Sequence, residues 1–427
     1  MVASGAARLV PDPGRRNGLL LLGVALAGNM CFDRALWIIY LQERGFSLLQ
    51  VGLLESLLHI TIMIFEVPTG VLADLFGRKA SIIIGHALWT LYLVGMVFAG
   101  NIIVAALSFF CLGLSLSFIS GAEVALLYDS QKALHTEKGF TRTVGLYYGV
   151  MTVGMAAAMA AGGLVRQVSW PLVFLLGALA QLTAVALSCL LTEVPVHAEA
   201  TRAEPRRSEP LQARLTPHLK GVLAFLKESR AARALLAGTA LFAAATSTYH
   251  LYAQSLLSGA GFTLVAVGGL FGLESLLSAG ASAQAHAVEA KLTPRRALLG
   301  VLAGTALLFP LVAVNRRGPA AAAFFLVSPA ANLFAPIAES AINREIPSAL
   351  RATLLSAMSM TCSLFMALLF PAVGYAADRF GLNGPLALAG VAASLACLGC
   401  AWYFFRARAA RATVKGAGVD AGPYELG

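Results

Sequence analysis

Twelve runs of about twenty apolar residues follow one another along this chain, at roughly 18–40, 48–72, 80–99, 102–126, 143–166, 171–192, 233–258, 263–288, 297–314, 319–342, 352–376 and 384–405. A run of that length is what an α-helix needs to cross the hydrocarbon core of a bilayer. The pattern predicts an all-α membrane protein with twelve spans. Composition agrees, since 58% of the residues are hydrophobic and 12% are charged, more apolar surface than a soluble globule can use. Leu19–Ala27 could pass for the apolar core of a signal peptide. Its run continues through Asp33 and Arg34 to Tyr40, however, and reads as the first span.

The formal charge is +10, from 31 Lys and Arg against 21 Asp and Glu, a balance that could raise nucleic acid as a partner. The placement of the charges excludes it. With both termini in the cytoplasm, 25 basic residues fall on the inner side and five outside (Arg44, Arg166, Arg316, Arg317, Arg379), with Arg34 inside a span. That asymmetry sets the topology of a multi-pass protein of the cell membrane. The longest polar stretch, 193–232, is rich in Arg, Glu and Pro. It reads as a cytoplasmic linker between a six-helix half at 1–192 and a second at 233–427, which ends in a short cytoplasmic tail. All six cysteines lie in apolar runs. Cys397 and Cys400 form a lone C-x-x-C without a neighbouring His, and read as packing residues, not as a metal or redox site.

The two halves repeat. Gly45–Gly52 is GFSLLQVG and Gly261–Gly268 is GFTLVAVG, an offset of 216 that also pairs Arg34 with His250, Glu123 with Glu339 and Asp129 with Glu345. A duplicated six-helix unit around a central cavity follows from that register.

The second and third spans are joined by Phe65–Lys79, FEVPTGVLADLFGRK, in which Gly70, Asp74, Gly77, Arg78 and Lys79 spell G-x-x-x-D-x-x-G-R-K. Gly70 would admit a neighbouring helix, and Gly77 a backbone conformation costly for other residues. Asp74 offers an anion to Arg78 or to a helix N-terminus. This spelling closely resembles the signature loop between the second and third helices of the major facilitator superfamily of transporters. The resemblance implies twelve helices in two halves that alternate between inward-open and outward-open states. It also implies that acids at the ends of the fourth and tenth helices bridge to Arg when the cytoplasmic side is closed. Here the matching types are Glu66, Asp74, Arg78, Glu123, Asp129 and Arg142, then Glu339, Arg344, Glu345 and Arg351. They are expected to form an inner gate, with Glu123–Arg142 and Glu339–Arg351 as equivalent latches. Gly374–Gly381, GYAADRFG, looks like the same motif in miniature and reads as a packed helix end.

Ionisable residues within spans are costly and hence functional candidates. Nearer the outside these are Asp33, Arg34, Glu55, His59, His250 and Glu274. A buried carboxylate binds protons more readily, and a nearby cation reverses this. Glu55 is the first expectation for a proton site and Glu274 the second. Static ion pairs are the competing reading for these groups. The fourth run lacks the Arg followed by Gln-Gly, and the fifth the Gly-Pro pair, that many drug exporters of that superfamily carry. No Walker loop, nucleophile cluster or metal-ligand set appears, so no cofactor, no metal and no enzyme activity are expected. The sequence thus points to a monomeric carrier moving a small solute with protons through the lipid bilayer, read as a drug-like efflux antiporter. Metabolite or organic-anion uptake, with Arg34 as the anion's partner, stays open. A non-transporting receptor is disfavoured, because the linker is too short and polar for a signalling domain.

Overall fold

A computed structural model describes residues 13–194, 227, 229–344, 346 and 351–416. Its elements are helices joined by short turns. They are α1 (Pro13–Gly28), α2 (Trp37–Glu43), α3 (Leu48–Phe76), α4 (Arg78–Val97), α5 (Ile102–Ile119), α6 (Ala122–Ala133), α7 (Phe140–Arg166) and α8 (Trp170–Cys189). Beyond residue 229 come α9 (Arg230–Gly259), α10 (Leu264–Ala283), α11 (Ala285–Lys291), α12 (Pro294–Leu308), α13 (Arg317–Asn343), α14 (Arg351–Phe380) and α15 (Asn383–Gly416). The stretch expected as a linker lies mostly outside the described residues.

Among the described residues, 10 helices are long and apolar enough to cross a membrane, counting α5 with α6 as one and extending α12 through a 3-10 turn at Phe309–Ala313. The other two expected spans depart for physical reasons. The first is interrupted: α1 ends at Gly28, the Asn29 side chain donates to Ala25 O at 2.9 Å, and regular helix resumes only at Trp37. The seventh, α9, is 30 residues long but dilutes its apolarity with Thr239, Thr246, Thr248, His250 and Gln254. The fourth span, expected to run unbroken, divides at Ser120–Gly121, where Gly121 adopts φ +77°.

The repeat is legible in the backbone. At the end of α2, Gly45 N donates to Gln42 O and Phe46 N to Leu41 O, with Gly45 at φ +89°. At the end of α9, Gly261 N donates to Ser258 O and Phe262 N to Leu257 O, with Gly261 at φ +93°. Both are the glycine-terminated helix ending that satisfies two late carbonyls. Each is followed by a hydroxyl cap: Ser47 Oγ accepts from Gln50 N, and Thr263 Oγ1 from Ala266 N, at 3.2 Å in each case. The same chemistry therefore turns the chain at the same place in both halves.

The described residues form two compact units, one of residues 1–34 with 64–204 and the other of 35–63 with 205–427. In the first, Leu21, Val24, Ile82, Leu126, Tyr147 and Ala184 make a closed apolar core. In the second, Leu235, Phe242, Leu302, Phe334, Ile337 and Cys397 do so. A Cβ added at Gly238 would sit 2.8 Å from Cys400 Cβ, which is the packing role expected of the C-x-x-C. Leu75, Phe76, Leu307 and Phe380 are 72–80% exposed, as helices facing lipid require.

Candidate functional site

Polar side chains within each unit gather into small networks, some at helix ends and some deep between helices. In the first unit, α4 begins at Gly77, whose φ of +94° only glycine adopts readily. Arg78 pairs with Asp129 at the far end of α6. The free N–H groups of Arg78 and Lys79 donate to the two carboxylate oxygens of Glu193, both at 2.9 Å, and Lys79 Nζ reaches Cys189 O at 2.8 Å. Glu193 therefore caps α4, a role that the sequence had suggested for Asp74. Asp74 and Glu66 are exposed. A Cβ at Gly70 would meet nothing within 4 Å among the described residues, so the close approach expected there is not made in this structure.

Deeper in the same unit lies a network that sequence reasoning missed. His86, on α4, is 2% exposed and lies between Gln181 of α8 and Glu123 of α6. Its Nδ1 is 2.7 Å from Gln181 Oε1 and its Nε2 is 3.0 Å from Glu123 Oε1. Tyr147 of α7 donates its hydroxyl to the second Glu123 oxygen. Gln181 Nε2 donates to Gly28 O at 2.8 Å, answering a carbonyl freed where α1 stops. Glu123 is 5% exposed and is held inside the unit by His86 and Tyr147. The Glu123–Arg142 latch is not formed here, since both Glu123 oxygens are engaged elsewhere and Arg142 is exposed. The available signal was His86 itself, an imidazole in the apolar run IIIGHALW. Towards the other end of α4, Tyr92 donates to Asp33 at 3.1 Å, and Asp33 is 4% exposed. Arg34 follows in the segment between α1 and α2.

In the second unit the structure brings together two candidates that the sequence had kept apart. His250 Nε2 of α9 stands 3.3 Å from Glu274 Oε2 of α10, and Ser278 donates to the other oxygen. Glu274 is 2% exposed, and the His250 ring packs against both Phe271 and Phe324. Glu55, on α3, is 5% exposed, and His59 one turn on lies 5.5 Å from the Phe370 ring. Arg344 pairs with Glu289 rather than Glu339, which is exposed. The side chains of Arg351 and Glu345 fall outside the described residues, and the second expected latch with them.

GYAADRFG is more than a packed end. Asp378 accepts from Leu48 N and Leu49 N, both at 2.9 Å, and so caps α3 from α14. A Cβ at Gly374 would collide with Leu48 O, and the Tyr252 hydroxyl donates to Leu48 O at 3.0 Å and Phe370 O at 2.8 Å. Among the described residues no cluster of His, Cys, Asp and Glu has the makings of a metal site.

Comparison with known proteins agrees with this architecture. The family model for the Major Facilitator Superfamily matches residues 18–368. An uncharacterized MFS-type transporter, YxaM of Bacillus subtilis (strain 168), is 37% identical over 87 residues, which are 20% of this chain and 22% of that protein. The chain thus spans about a fifth of the length of this curated relative. Among solved structures, the nucleoside transporter NupG aligns over 92% of this chain and 98% of its own, at a TM-score of 0.73 and 14% identity. A D-xylose-proton symporter aligns over 90% and 95%, at 0.64 and 14%. At such identities the two structures speak for the fold alone. With the family model matching most of the chain, this protein belongs to the Major Facilitator Superfamily of membrane transporters.

Proposed function

We propose that this transporter couples the movement of a small amphipathic solute to protons, exporting it from the cell. The observation carrying the reading is Glu274, a carboxyl 2% exposed and held by an imidazole from α9 and a hydroxyl one turn on along α10. An unneutralised carboxylate at such depth is costly, so proton binding and release there must follow changes in its surroundings. Alternating access supplies such changes. His250 offers a nearby base or cation, and its packing against Phe271 and Phe324 limits where the ring can go. Glu55 and Asp33, equally buried, are the second and third candidates. One protein sharing the fold is named a D-xylose-proton symporter, which fits proton coupling as chemistry this architecture accommodates.

Export is supported by general likeness to exporters alone, since the Phe65–Lys79 loop resembles a signature of the whole superfamily and carries no direction of its own. The rival is uptake of a metabolite, and it differs in the sign of proton movement. Proteoliposomes screened against drugs and metabolites, with internal pH recorded, separate the two. Glu274→Gln should abolish accumulation driven by a pH gradient and preserve solute exchange. Undiminished pH-driven accumulation in that variant would remove Glu274 as proton carrier.

A further inference from the structure

We propose that His86 and Glu123 form a proton-binding site that holds one exchangeable proton, whose departure drives α4 and α6 apart. The hydrogen-bond directions lead to it. Gly28 O can only accept, so Gln181 turns its amide nitrogen to that carbonyl and its oxygen to His86. His86 Nδ1 must then carry hydrogen. Its Nε2 faces Glu123 Oε1 at 3.0 Å, and one proton lies between them, on nitrogen or on oxygen. Tyr147 supplies the donor for the other carboxylate oxygen. With that single proton every polar atom of the set is satisfied.

Without the proton, an imidazole lone pair and a carboxylate oxygen face each other across 3.0 Å in a site where both residues are at most 5% exposed. Two buried acceptors in contact repel, and neither reaches water. A second proton on the same oxygen would set two donors in the same opposition, and on the other oxygen it would displace the bond that Tyr147 donates. Proton occupancy and the approach of α4 to α6 therefore depend on each other. On the side of Gly28 the ring is tightly packed, since a Cβ there would lie 2.5 Å from His86 Cε1. The helix can yield instead: Gly121, two residues before Glu123 and at φ +77°, breaks the span and frees α6 to pivot on α5.

Of the titratable and charged groups on the surrounding elements, Tyr147 is in contact, Asp33 is bonded to Tyr92, and Arg78 and Asp129 pair with each other. Lys79 reaches Cys189 O, Arg166 lies over the Trp170 ring, and Arg15, Arg16, Tyr128, Lys132, Arg142 and Tyr148 are exposed. The proton comes from and returns to bulk water. As part of transport this site rests on the proton-coupled reading, but its proton binding can be measured without transport.

The test uses the full chain, labelled with 15N-histidine, in lipid nanodiscs, with the His86 resonances identified by His86→Gln. The Nε2 signal should titrate, together with a change in spin-label distance between Leu91 on α4 and Tyr128 on α6. In Tyr147→Phe the carboxylate loses a donor and binds the proton more tightly, so the midpoint should rise by about one pH unit. In Glu123→Gln it should fall by a similar amount and the distance should cease to follow pH. A His86 midpoint unchanged in both variants overturns the site. If Glu123→Gln does not fold, an unmoved midpoint in Tyr147→Phe does so alone. Wild-type vesicles lacking pH-driven transport while His86 titrates would sink the transport reading and leave this site standing. Transport with a His86 that never titrates would do the reverse.

Discussion

Asp378→Asn is the perturbation whose size the structure best defines. The Asp378 carboxylate receives two backbone N–H groups of the first turn of α3, each at 2.9 Å. There its negative charge also meets the positive end of the helix. Asparagine keeps the shape and one acceptor, but loses the charge and one of the two bonds. Removing a cap or a charge-assisted bond of this kind costs about 1–2 kcal/mol. If the transport cycle separates the Leu48 end of α3 from α14, that loss favours the separated conformations by roughly 5- to 30-fold. Gly374→Ala reaches the same contact by a different force, since its methyl would press on Leu48 O. It should shift the population in the same direction and at least as far. Spin-label distances between Arg44 and Phe380, in a protein lacking its native cysteines, would read both. Unchanged distance distributions in both variants would refute the idea that this contact is broken during the cycle.

Other consequences follow from single contacts. Gly162→Ala would drive a methyl into Phe32 O where the chain leaves α1, so thermal unfolding in detergent should show a loss of about 1–3 kcal/mol. Gly149→Ala, with nothing within 4 Å of its Cβ, should show none. Glu193→Gln weakens the cap on α4 and should lower stability by about 1 kcal/mol, whereas Asp74→Asn should leave it unchanged; equal effects would misplace the cap. Double-mutant cycles should find strong coupling between His86 and Glu123 and none between Glu123 and Arg142, because only the first pair is in contact here. Reporter fusions after Gly100 and after Glu199 should report opposite sides of the membrane, and the same side for both would overturn the proposed topology.

Among the described residues, ten of the twelve expected spans and the repeat were legible because they depend on local chemistry: long apolar runs, and a glycine that ends a helix before a hydroxyl that starts the next. Burial was legible too, since Asp33, Glu55 and Glu274 are each at most 5% exposed. Partnership was not. The resemblance offered Arg142 to Glu123 as a latch, whereas the partner found is His86, on another helix. Asp378 looked like a local helix end because the amides it caps lie 329 and 330 residues away. The breaks in the first and fourth spans were hidden for the same reason. Hydropathy sums over a window, while Asn29 and Gly121 act through one carbonyl and one dihedral angle.

Proton movement accompanying solute tests the central claim most directly. Proteoliposomes containing wild-type protein would carry a pH-sensitive dye inside and receive a solute found in the screen, with no pH gradient imposed. The account predicts that solute entering the lumen brings protons out, that an imposed gradient concentrates the solute, and that Glu274→Gln loses both. Solute crossing at full rate with no change in internal pH, and never above its external concentration, would contradict it.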